Sequence, residues 1–325
     1  MNTQIKSLRE YVKDALARKV GVGHFNIASL DAFWAVVNAQ DEMTKAARNL
    51  PDGAPGKIGA DEQIPVIIGA SEGERDFIGV DQVVALVRSV REPSAANTKL
   101  GYPNGRAVFL NADHTYSFER VAEAADAGFD AVIIDQTELP FDQNVAITKK
   151  CVEYVHEVTK KTGRDIMIEA EIGFIGKSSK VLDAVPEGVK ISEEFLTKPE
   201  EAKAFVDATG VDMLAPAVGN IHGMLKGGVD PALNTKRIAE ISAAAGVPLV
   251  LHGGSGGSIA DFLGAIDGGC GIVHISTELR VALRAGLVKA LQDNPDEVAP
   301  YKYLKPARAA MQKAVEDKLK LFNKI

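Results

Sequence analysis

The sequence has few cysteines and no long run of apolar residues. Among its 325 residues are two cysteines, Cys151 and Cys270, too few for the disulfide framework of a small secreted domain. No apolar stretch approaches the roughly 20 residues that a membrane-spanning helix needs. The segment 1–19 carries charges throughout and lacks the apolar core of a secretory signal peptide. We therefore expect a protein of the reducing cytoplasm, with no membrane as a partner.

The sequence also lacks an excess of basic residues. Lysine and arginine number 37 against 44 aspartates and glutamates, which gives a net charge of −7 at neutral pH. Binding to a nucleic-acid backbone requires a positive surface that neutralises phosphates, and no segment of this chain supplies a broad basic patch. We therefore expect no nucleic-acid partner. A small anion can still bind at a local positive site in an acidic protein.

Short, continuously apolar runs of β-forming residues recur along the chain. The runs, eight in number, cover 22–27, 64–70, 106–113, 129–135, 165–173, 211–219, 247–254 and 271–277. Stretches with helical spacing lie between them, for example 117–127, 141–162, 198–208 and 233–245. Apolar strands that alternate with amphipathic helices are typical of a parallel sheet covered by helices. Eight units predict an α/β fold of the (β/α)8 TIM-barrel type, with a doubly wound open sheet as the alternative.

Nothing in the sequence indicates a boundary between domains. The segments 49–63 and 91–106 are rich in glycine, proline and polar residues, and we expect both to be surface loops. Neither is long enough or biased enough to be a domain linker, and there is no internal repeat. Apolar residues at helical spacing from Met311 to Phe322 predict a helix packed on the barrel or on a neighbouring subunit. We interpret residues 1–325 as a single domain.

Polar residues that could do chemistry cluster at the ends of the predicted strands. They are Asp113, His114, Asp135, Glu169, Glu171, His222, His252 and His274. The carboxyl ends of barrel strands converge on one face, where active sites are built. Three histidines from three strands can bind one zinc ion, whose open fourth position makes it a Lewis acid. A hydrogen-bonded core or loop histidine is the alternative for each, and we interpret His24 and His156 as structural.

The carboxylates have two interpretations as well. An aspartate beside a barrel histidine can simply orient the imidazole. Glu169 and Glu171 share one face of a strand, and a carboxylate that faces into a barrel needs a cation or several hydrogen-bond donors. Asp113 and His114 are adjacent, so a regular strand would point them in opposite directions. At the frayed end of a strand, both can face the site.

Glycine-rich turns follow the predicted sixth and seventh strands. The segment 251–257 reads LHGGSGG, and its backbone amides and Ser255 suit a phosphate group. The segments 219–224 and 275–277 add further amides and the hydroxyls of Ser276 and Thr277. Barrels commonly bind phosphate beyond strands seven and eight. Tight strand-to-helix geometry is the alternative explanation for these glycines.

Taken in order, these segments resemble the class II fructose-bisphosphate and tagatose-bisphosphate aldolases. The matching segments are HFNIAS (24–29), IGASEGERDFIG (68–79), NADH (111–114), VIIDQTELPFDQNVAIT (132–148), IEAEIG (168–173), GNIHG (219–223), LHGGSG (251–256), STELR (276–280) and YLKPARAAM (303–311). They span nearly the whole chain, and the DH, GNxHG and HGGSG elements together are highly specific. The resemblance implies a TIM barrel that uses zinc to cleave a carbon–carbon bond in a phosphorylated ketose.

The resemblance also implies a metal site. The zinc ligands of the family match His114, His222 and His252. Glu171 matches a carboxylate that binds an alternative metal position, and Asp135 matches an acid near a second divalent ion.

Further roles follow from the same resemblance. Asp113 matches the general acid/base that acts on the C4 hydroxyl during cleavage. Positions that contact the substrate or its ketone-end phosphate match Asn26, Ser71, Gly223, Gly253, Ser255 and Thr277.

The chain departs from the family at the eighth strand and in one loop. His274 stands where many relatives have asparagine, and Ser276 where they have aspartate or alanine. Because the neighbours of His274 are aliphatic, we expect its side chain to point into the barrel mouth. There it either contacts the substrate or only fills space beside the phosphate, and contact with the substrate is our hypothesis. The segment 174–190 lacks the acidic pair of one subfamily's mobile loop, and Glu187 is the remaining candidate for a loop acid.

These features predict a cytoplasmic, zinc-dependent ketose-bisphosphate aldolase of carbohydrate metabolism. Fructose 1,6-bisphosphate, the glycolytic substrate, is the first candidate and tagatose 1,6-bisphosphate the second. The alternatives are another ketose-phosphate aldolase, a metal-dependent phosphosugar epimerase and a non-enzymatic phosphosugar-binding regulator. The expected partners are the phosphorylated sugar and further copies of the chain, in a dimer or tetramer.

Overall fold

Eight parallel strands close into a barrel, as the eight apolar runs predict. The computed structural model describes residues 5–178, 180–185, 187–189, 191–227 and 230–325. The barrel strands are β1 (Val22–Asn26), β2 (Val66–Ala70), β3 (Val108–Thr115), β4 (Ala131–Ile134), β5 (Met167–Ile172), β6 (Met213–Pro216), β7 (Leu249–Leu251) and β8 (Cys270–Ile275). Neighbours in sequence are neighbours in the barrel, and β8 pairs with β1. The prediction of a (β/α)8 barrel is confirmed, and the doubly wound alternative is wrong.

Helices follow the strands and cover the outside of the barrel. Their bounds are α1 (Leu8–Arg18), α2 (Leu30–Arg48), α3 (Glu72–Ile78), α4 (Val80–Arg91), α5 (Ala95–Lys99), α6 (Phe118–Ala127), α7 (Phe141–Thr162), α8 (Pro199–Thr209), α9 (Thr235–Ala245), α10 (Ile259–Asp267), α11 (Thr277–Asp293) and α12 (Pro300–Asn323). Serine caps begin several of them; the Ser29 side chain, for example, accepts from the Ala32 amide at the start of α2. In the part of the chain that is described, no helix has both the length and the apolarity needed to cross a bilayer.

The hydrophobic core has two parts. The larger part lies between the strands and the surrounding helices, where Val273 and Ile275 of β8 are fully buried. The smaller part fills the amino-terminal end of the barrel, where Tyr11 and Val12 of α1 pack against strand residues such as Ile272. Because α1 packs over that end, we expect a ligand site at the carboxyl-terminal end of the barrel, where active sites of this fold are built.

Two features were not predicted from the sequence. The expected surface loop 91–106 contains the short helix α5, whose N-cap is Ser94. The loops after β5 and β6 form a two-stranded parallel ribbon at the mouth of the barrel, in which Val181–Leu182 pairs with Met224–Leu225. We call this pair the mouth ribbon. It ties the loop at Val181–Leu182 to the loop that carries His222.

Candidate functional site

A cleft of about 240 Å³ opens at the carboxyl-terminal ends of the strands. Its lining residues are Asn26, Ser71, Glu72, Gly73, Asp113, His114, Tyr116, Lys177, Ser178, His222, Gly223, His252, Gly253, Gly254, Ser255, His274, Ser276, Thr277 and Arg280. Most of the side chains that the sequence singled out therefore lie together. His274 lines the cleft as expected.

An irregularity in β3 allows Asp113 and His114 to face the cleft together. The pairing of β3 with β4 shifts register between Ala112 and Thr115. His114 has a φ of 36°, in the left-handed region that residues other than glycine rarely adopt. This turn at the strand end removes the alternation that would send the two side chains to opposite faces.

One group of side chains has the arrangement of a metal site. His114, Glu171, His222 and His252 each offer a ligand atom, and these atoms lie within 4.8 Å of one another. Two of the rings are held by hydrogen bonds at the nitrogen that faces away from the group. His222 Nδ1 donates to the Gly176 carbonyl oxygen at 2.6 Å, and His252 Nε2 donates to Glu169 Oε1 at 2.7 Å. In its neutral form each ring therefore presents a lone pair to the group, as a metal ligand must.

The electrostatics of this group favour a cation. His222 Nε2 is buried and has no hydrogen-bond partner. Burial lowers the pKa of His222 to about 4, so the ring is neutral near pH 7. Burial alone would also lower the pKa of His114, but the charges of Asp113 and Glu171 raise it well above its usual value. A position that stabilises a protonated imidazole in this way stabilises a bound cation for the same reason.

The carboxylate of Asp113 has a hydrogen bond on one oxygen and a histidine ring beside the other. Asn26 Nδ2 donates to Oδ2 at 2.8 Å, and His274 Nδ1 lies 3.4 Å from Oδ1. Burial alone would raise the pKa of Asp113, but the histidines around it, His114 first and then His274 and His24, lower the pKa well below its usual range. The group is therefore ionised and able to accept a proton near pH 7.

A hydrogen-bonded network at the edge of the cleft was not predicted from the sequence. Glu74 Oε2 accepts from Asn26 Nδ2 and from the Ser71 hydroxyl, both at 2.9 Å. Its other oxygen, Oε1, lies 2.6 Å from Arg280 Nη2. The network connects β1, α3 and α11 and fixes Asn26 against Asp113. In the sequence, Glu74 lies three residues after the helix-capping Ser71, so the pattern reads only as a capping box.

Arg75, which lies directly behind the site, was not predicted as a site residue from the sequence either. Its side chain is fully buried, and Nη1 donates to the carbonyl oxygens of Ala70 at 2.7 Å and Asp113 at 3.3 Å. Nη2 donates to Thr115 Oγ1 at 3.2 Å. These contacts join the ends of β2 and β3 on either side of the irregular turn. Arg75 therefore supports the backbone geometry that brings Asp113 and His114 together.

The other side of the cleft is suited to an anion. The Ser255 hydroxyl oxygen accepts from the amides of Ser276 at 3.3 Å and Glu278 at 3.2 Å, at the start of the 17-residue helix α11. The amide-rich amino-terminal end of such a helix attracts negative charge. Gly253 has a φ of 63°, and a Cβ there would lie 2.2 Å from the Ile221 carbonyl oxygen. Glycine is therefore required at this turn both for conformation and for space.

Three predicted site residues lie outside the cleft lining. Glu171 is buried behind His114, with Oε1 at 2.9 Å from His114 Nδ1. Asp135 is buried too, and its Oδ1 accepts from the Thr137 amide and hydroxyl while Oδ2 lies 3.6 Å from His114 Nδ1. Glu187 is exposed and is not brought to the cleft. Among the described residues, the carboxylates that line the cleft are Glu72 and Asp113.

Comparison with known proteins identifies the family. The family model described as fructose-bisphosphate aldolase class-II matches residues 57–325. The chain belongs to the class II fructose-bisphosphate aldolase family. It is therefore an enzyme, an aldehyde-lyase that acts on carbon–carbon bonds. The resemblance seen in the sequence is confirmed.

Curated relatives cover almost the whole chain. The fructose-bisphosphate aldolase of Staphylococcus epidermidis is 35% identical over 317 residues, which are 97% of this chain and 96% of the relative. The probable fructose-bisphosphate aldolase of Bacillus subtilis strain 168 has the same identity and coverage. Both relatives span the barrel and all residues of the candidate site.

Solved structures of aldolases share the architecture. The YdjI aldolase of Escherichia coli K12 superposes with a TM-score of 0.73 at 26% identity, covering 97% of this chain and 96% of the other. A putative fructose-1,6-bisphosphate aldolase from Coccidioides immitis superposes with a TM-score of 0.72 at 23% identity, covering 97% and 95%. The second likeness concerns the fold alone.

Proposed function

We propose that this class II aldolase is zinc-dependent and reversibly cleaves a ketose bisphosphate to dihydroxyacetone phosphate and an aldehyde. Fructose 1,6-bisphosphate is the first candidate substrate and tagatose 1,6-bisphosphate the second. One observation carries the proposal: Asp113, which is ionised near pH 7, lines one cleft together with three histidines that could hold a metal and a glycine-rich turn suited to an anion. These are the base, the electrophile and the substrate anchor that aldol cleavage requires.

The donor set suits zinc. His114, His222 and His252 would hold the ion, with Glu171 as a further ligand, since neutral imidazoles and one carboxylate match its preferred ligands. Bound there, zinc would supply a Lewis acid that polarises the carbonyl group of the ketose. Asp135 remains a candidate for a second divalent ion.

The chain's own residues account for substrate placement and proton removal. The Ser255 and Thr277 hydroxyls, at the positive amino-terminal end of α11, would bind the phosphate of the ketone half. Asp113, held by Asn26, would take the proton from the C4 hydroxyl as the C3–C4 bond breaks and the aldehyde forms. Holding the substrate at its phosphate and at the C4 hydroxyl keeps that hydroxyl against Asp113. The binding energy thereby lowers the barrier to cleavage. Ser71 and Arg280, which both contact Glu74, also line the cleft and would bind the aldehyde half.

The proposal is tested by incubating the purified protein with a panel of ketose mono- and bisphosphates. Dihydroxyacetone phosphate would be measured with a coupled dehydrogenase, and the sugars would be analysed for changed stereochemistry. Release of dihydroxyacetone phosphate is expected. An isomerised sugar with an intact carbon skeleton would indicate an epimerase instead. Binding without turnover would indicate a phosphosugar-binding regulator. The dimer or tetramer remains a prediction, which light scattering of the same sample would test.

His274 should influence which sugar is preferred. Its Nε2 is buried without a hydrogen-bond partner, and the ring lines the cleft. We expect His274→Ala to lower kcat/KM. The loss of transition-state stabilisation should be about 1–3 kcal/mol, the scale of one lost buried hydrogen bond. His274→Asn should change the ranking of the ketose phosphates, with the zinc content unchanged. Parent-like rankings in both variants would remove His274 from substrate recognition, and loss of zinc would make it a ligand.

A further inference from the structure

A second histidine lies beneath His274, outside the cleft lining. His24 is on β1, directly opposite His274 in the strand register, and it is fully buried. The two rings are stacked, with centroids 3.5 Å apart and planes only 3° from parallel. His274 in turn stacks on His252, with centroids 4.1 Å apart. The three rings form a column that runs from the barrel interior to the proposed metal site.

The position of the His24 ring depends on the neighbouring strand. A Cβ at Gly69 of β2 would lie 2.1 Å from Cε1 of His24 and 2.6 Å from Nε2. Gly69 does not have a positive φ, so its backbone is open to other residues. Glycine is therefore needed at position 69 only to leave room for the imidazole.

A polar contact fixes the remaining edge of the ring. Asn111 Nδ2 lies 3.0 Å from His24 Nε2, and an amide nitrogen can only donate. Nε2 therefore accepts, which leaves the proton of the neutral ring on Nδ1. Burial lowers the pKa of His24 to about 4, in agreement with a neutral ring. His24 is thus confined by Gly69, Asn111 and His274.

These contacts do not describe a second metal site. His24, Asp113 and His274 offer ligand atoms within 4.8 Å of one another. However, the nitrogen lone pairs of an imidazole lie in the plane of the ring, and the planes of His24 and His274 are parallel. A single cation cannot lie in both planes. The stack therefore has a steric role rather than a ligating one.

We propose that His24 is a positioning residue, which holds the His274 ring in the plane where Nδ1 lies beside Asp113. The absence of a side chain at Gly69 leaves the space that the His24 ring occupies. Without the His24 ring, His274 would gain room to rotate about its side-chain bonds, and Asp113 would lose one of its two fixed contacts. The kinetic part of the proposal rests on the proposed function of Asp113 and His274. The structural part, the orientation of His274, does not.

The test is a double-mutant cycle with His24→Ala, Gly69→Ala and the double variant. Each single change should lower kcat by about ten- to a hundredfold, the scale of a slightly misplaced reacting group, while KM changes less. Because the added methyl group and the ring compete for one space, the double variant should resemble His24→Ala and not show the product of both losses. Met167→Ala is the matched control, since it opens a void in the lower barrel core on β5, opposite Ala131 and four strands away from β1. Zinc content and melting temperature are measured for every variant.

A second measurement determines which ring nitrogen of His274 carries the proton. The chain has six histidines, so their ring nitrogens can be assigned by ¹⁵N NMR. In the parent, His274 should carry its proton on Nδ1, and in both single variants this preference should weaken. Unchanged His274 signals, or a loss of kcat no larger than that of Met167→Ala, would overturn the proposal. If the parent cleaves no ketose phosphate, the proposed function fails, and the nitrogen signals still decide whether His24 positions His274.

Discussion

Removal of the bound metal from the purified protein should reduce ketose-bisphosphate cleavage to background, and added zinc or cobalt should restore it. The protein as purified should contain about one such ion per chain, since one group of four side chains has convergent ligand atoms. The reason for the large effect is electrostatic. Carbon–carbon cleavage leaves negative charge on the ketone half, and few groups in the cleft can stabilise that charge. The only lysine and arginine among the described lining residues are Lys177 and Arg280, which lie 2.6 Å from Glu138 and Glu74 respectively.

Variants locate the ion. His222→Ala should lose the metal and the activity together, because it removes the buried, unpartnered Nε2 atom. His156→Ala is the matched control, since this histidine lies on the exposed side of α7 and should change neither. Full activity of a verified metal-free protein would contradict the prediction. So would trapping of the substrate on a lysine by borohydride, which would indicate a Schiff-base mechanism.

The barrel could be predicted from the sequence because its signal is local. Strands that are covered on both faces must be continuously apolar, and all eight runs of this kind are strands. The mouth ribbon could not be predicted in the same way. Each of its strands has two residues, Val181–Leu182 and Met224–Leu225, which is too short for any periodic pattern. Its pairing depends on two loops that only the closed barrel brings together.

The site was predictable in its residue types but not in its geometry. His114, His222 and His252 could be singled out because each follows a predicted strand. The irregular turn at His114 was not visible, because nothing in the local residues demands a positive φ there. Arg75 reads as an ordinary helix residue, and only the folded chain places it against the Asp113 carbonyl.

His24 is the clearest example of a residue whose burial, but not whose contacts, could be predicted from the sequence. The sequence supports its interpretation as a buried structural histidine, and the burial is correct. Its partners are Gly69, Asn111 and His274, which are up to 250 positions away along the chain and belong to three other strands. A stacking geometry of this kind depends on the register between β1 and β8, and the pattern of either strand alone does not contain that information.

Replacement of Asp113 by alanine should lower kcat about a hundredfold or more, the usual contribution of a general base. The variant should keep its fold and its metal. Its KM should change much less, because the phosphate-binding groups around Ser255 lie on the other side of the cleft. Asp113→Asn is the sharper variant, since it keeps the shape of the side chain and one oxygen that can accept from Asn26, while it removes the charge and the basic carboxylate. Asp76→Asn, a change of an exposed aspartate paired with Arg120, is the matched control and should be neutral.

A second reaction separates loss of the base from general damage to the site. Exchange of the C3 proton of dihydroxyacetone phosphate with solvent involves no C4 hydroxyl, so it does not need a base at that position. We therefore expect Asp113→Asn to retain most of the exchange rate while cleavage falls, with exchange followed by NMR in deuterium oxide. A parallel loss of exchange and cleavage would show that the substitution disturbs the ketone half or the metal. Cleavage at the parent rate would remove Asp113 from the mechanism, and the base would then have to be sought at Glu72, the other carboxylate among the described lining residues.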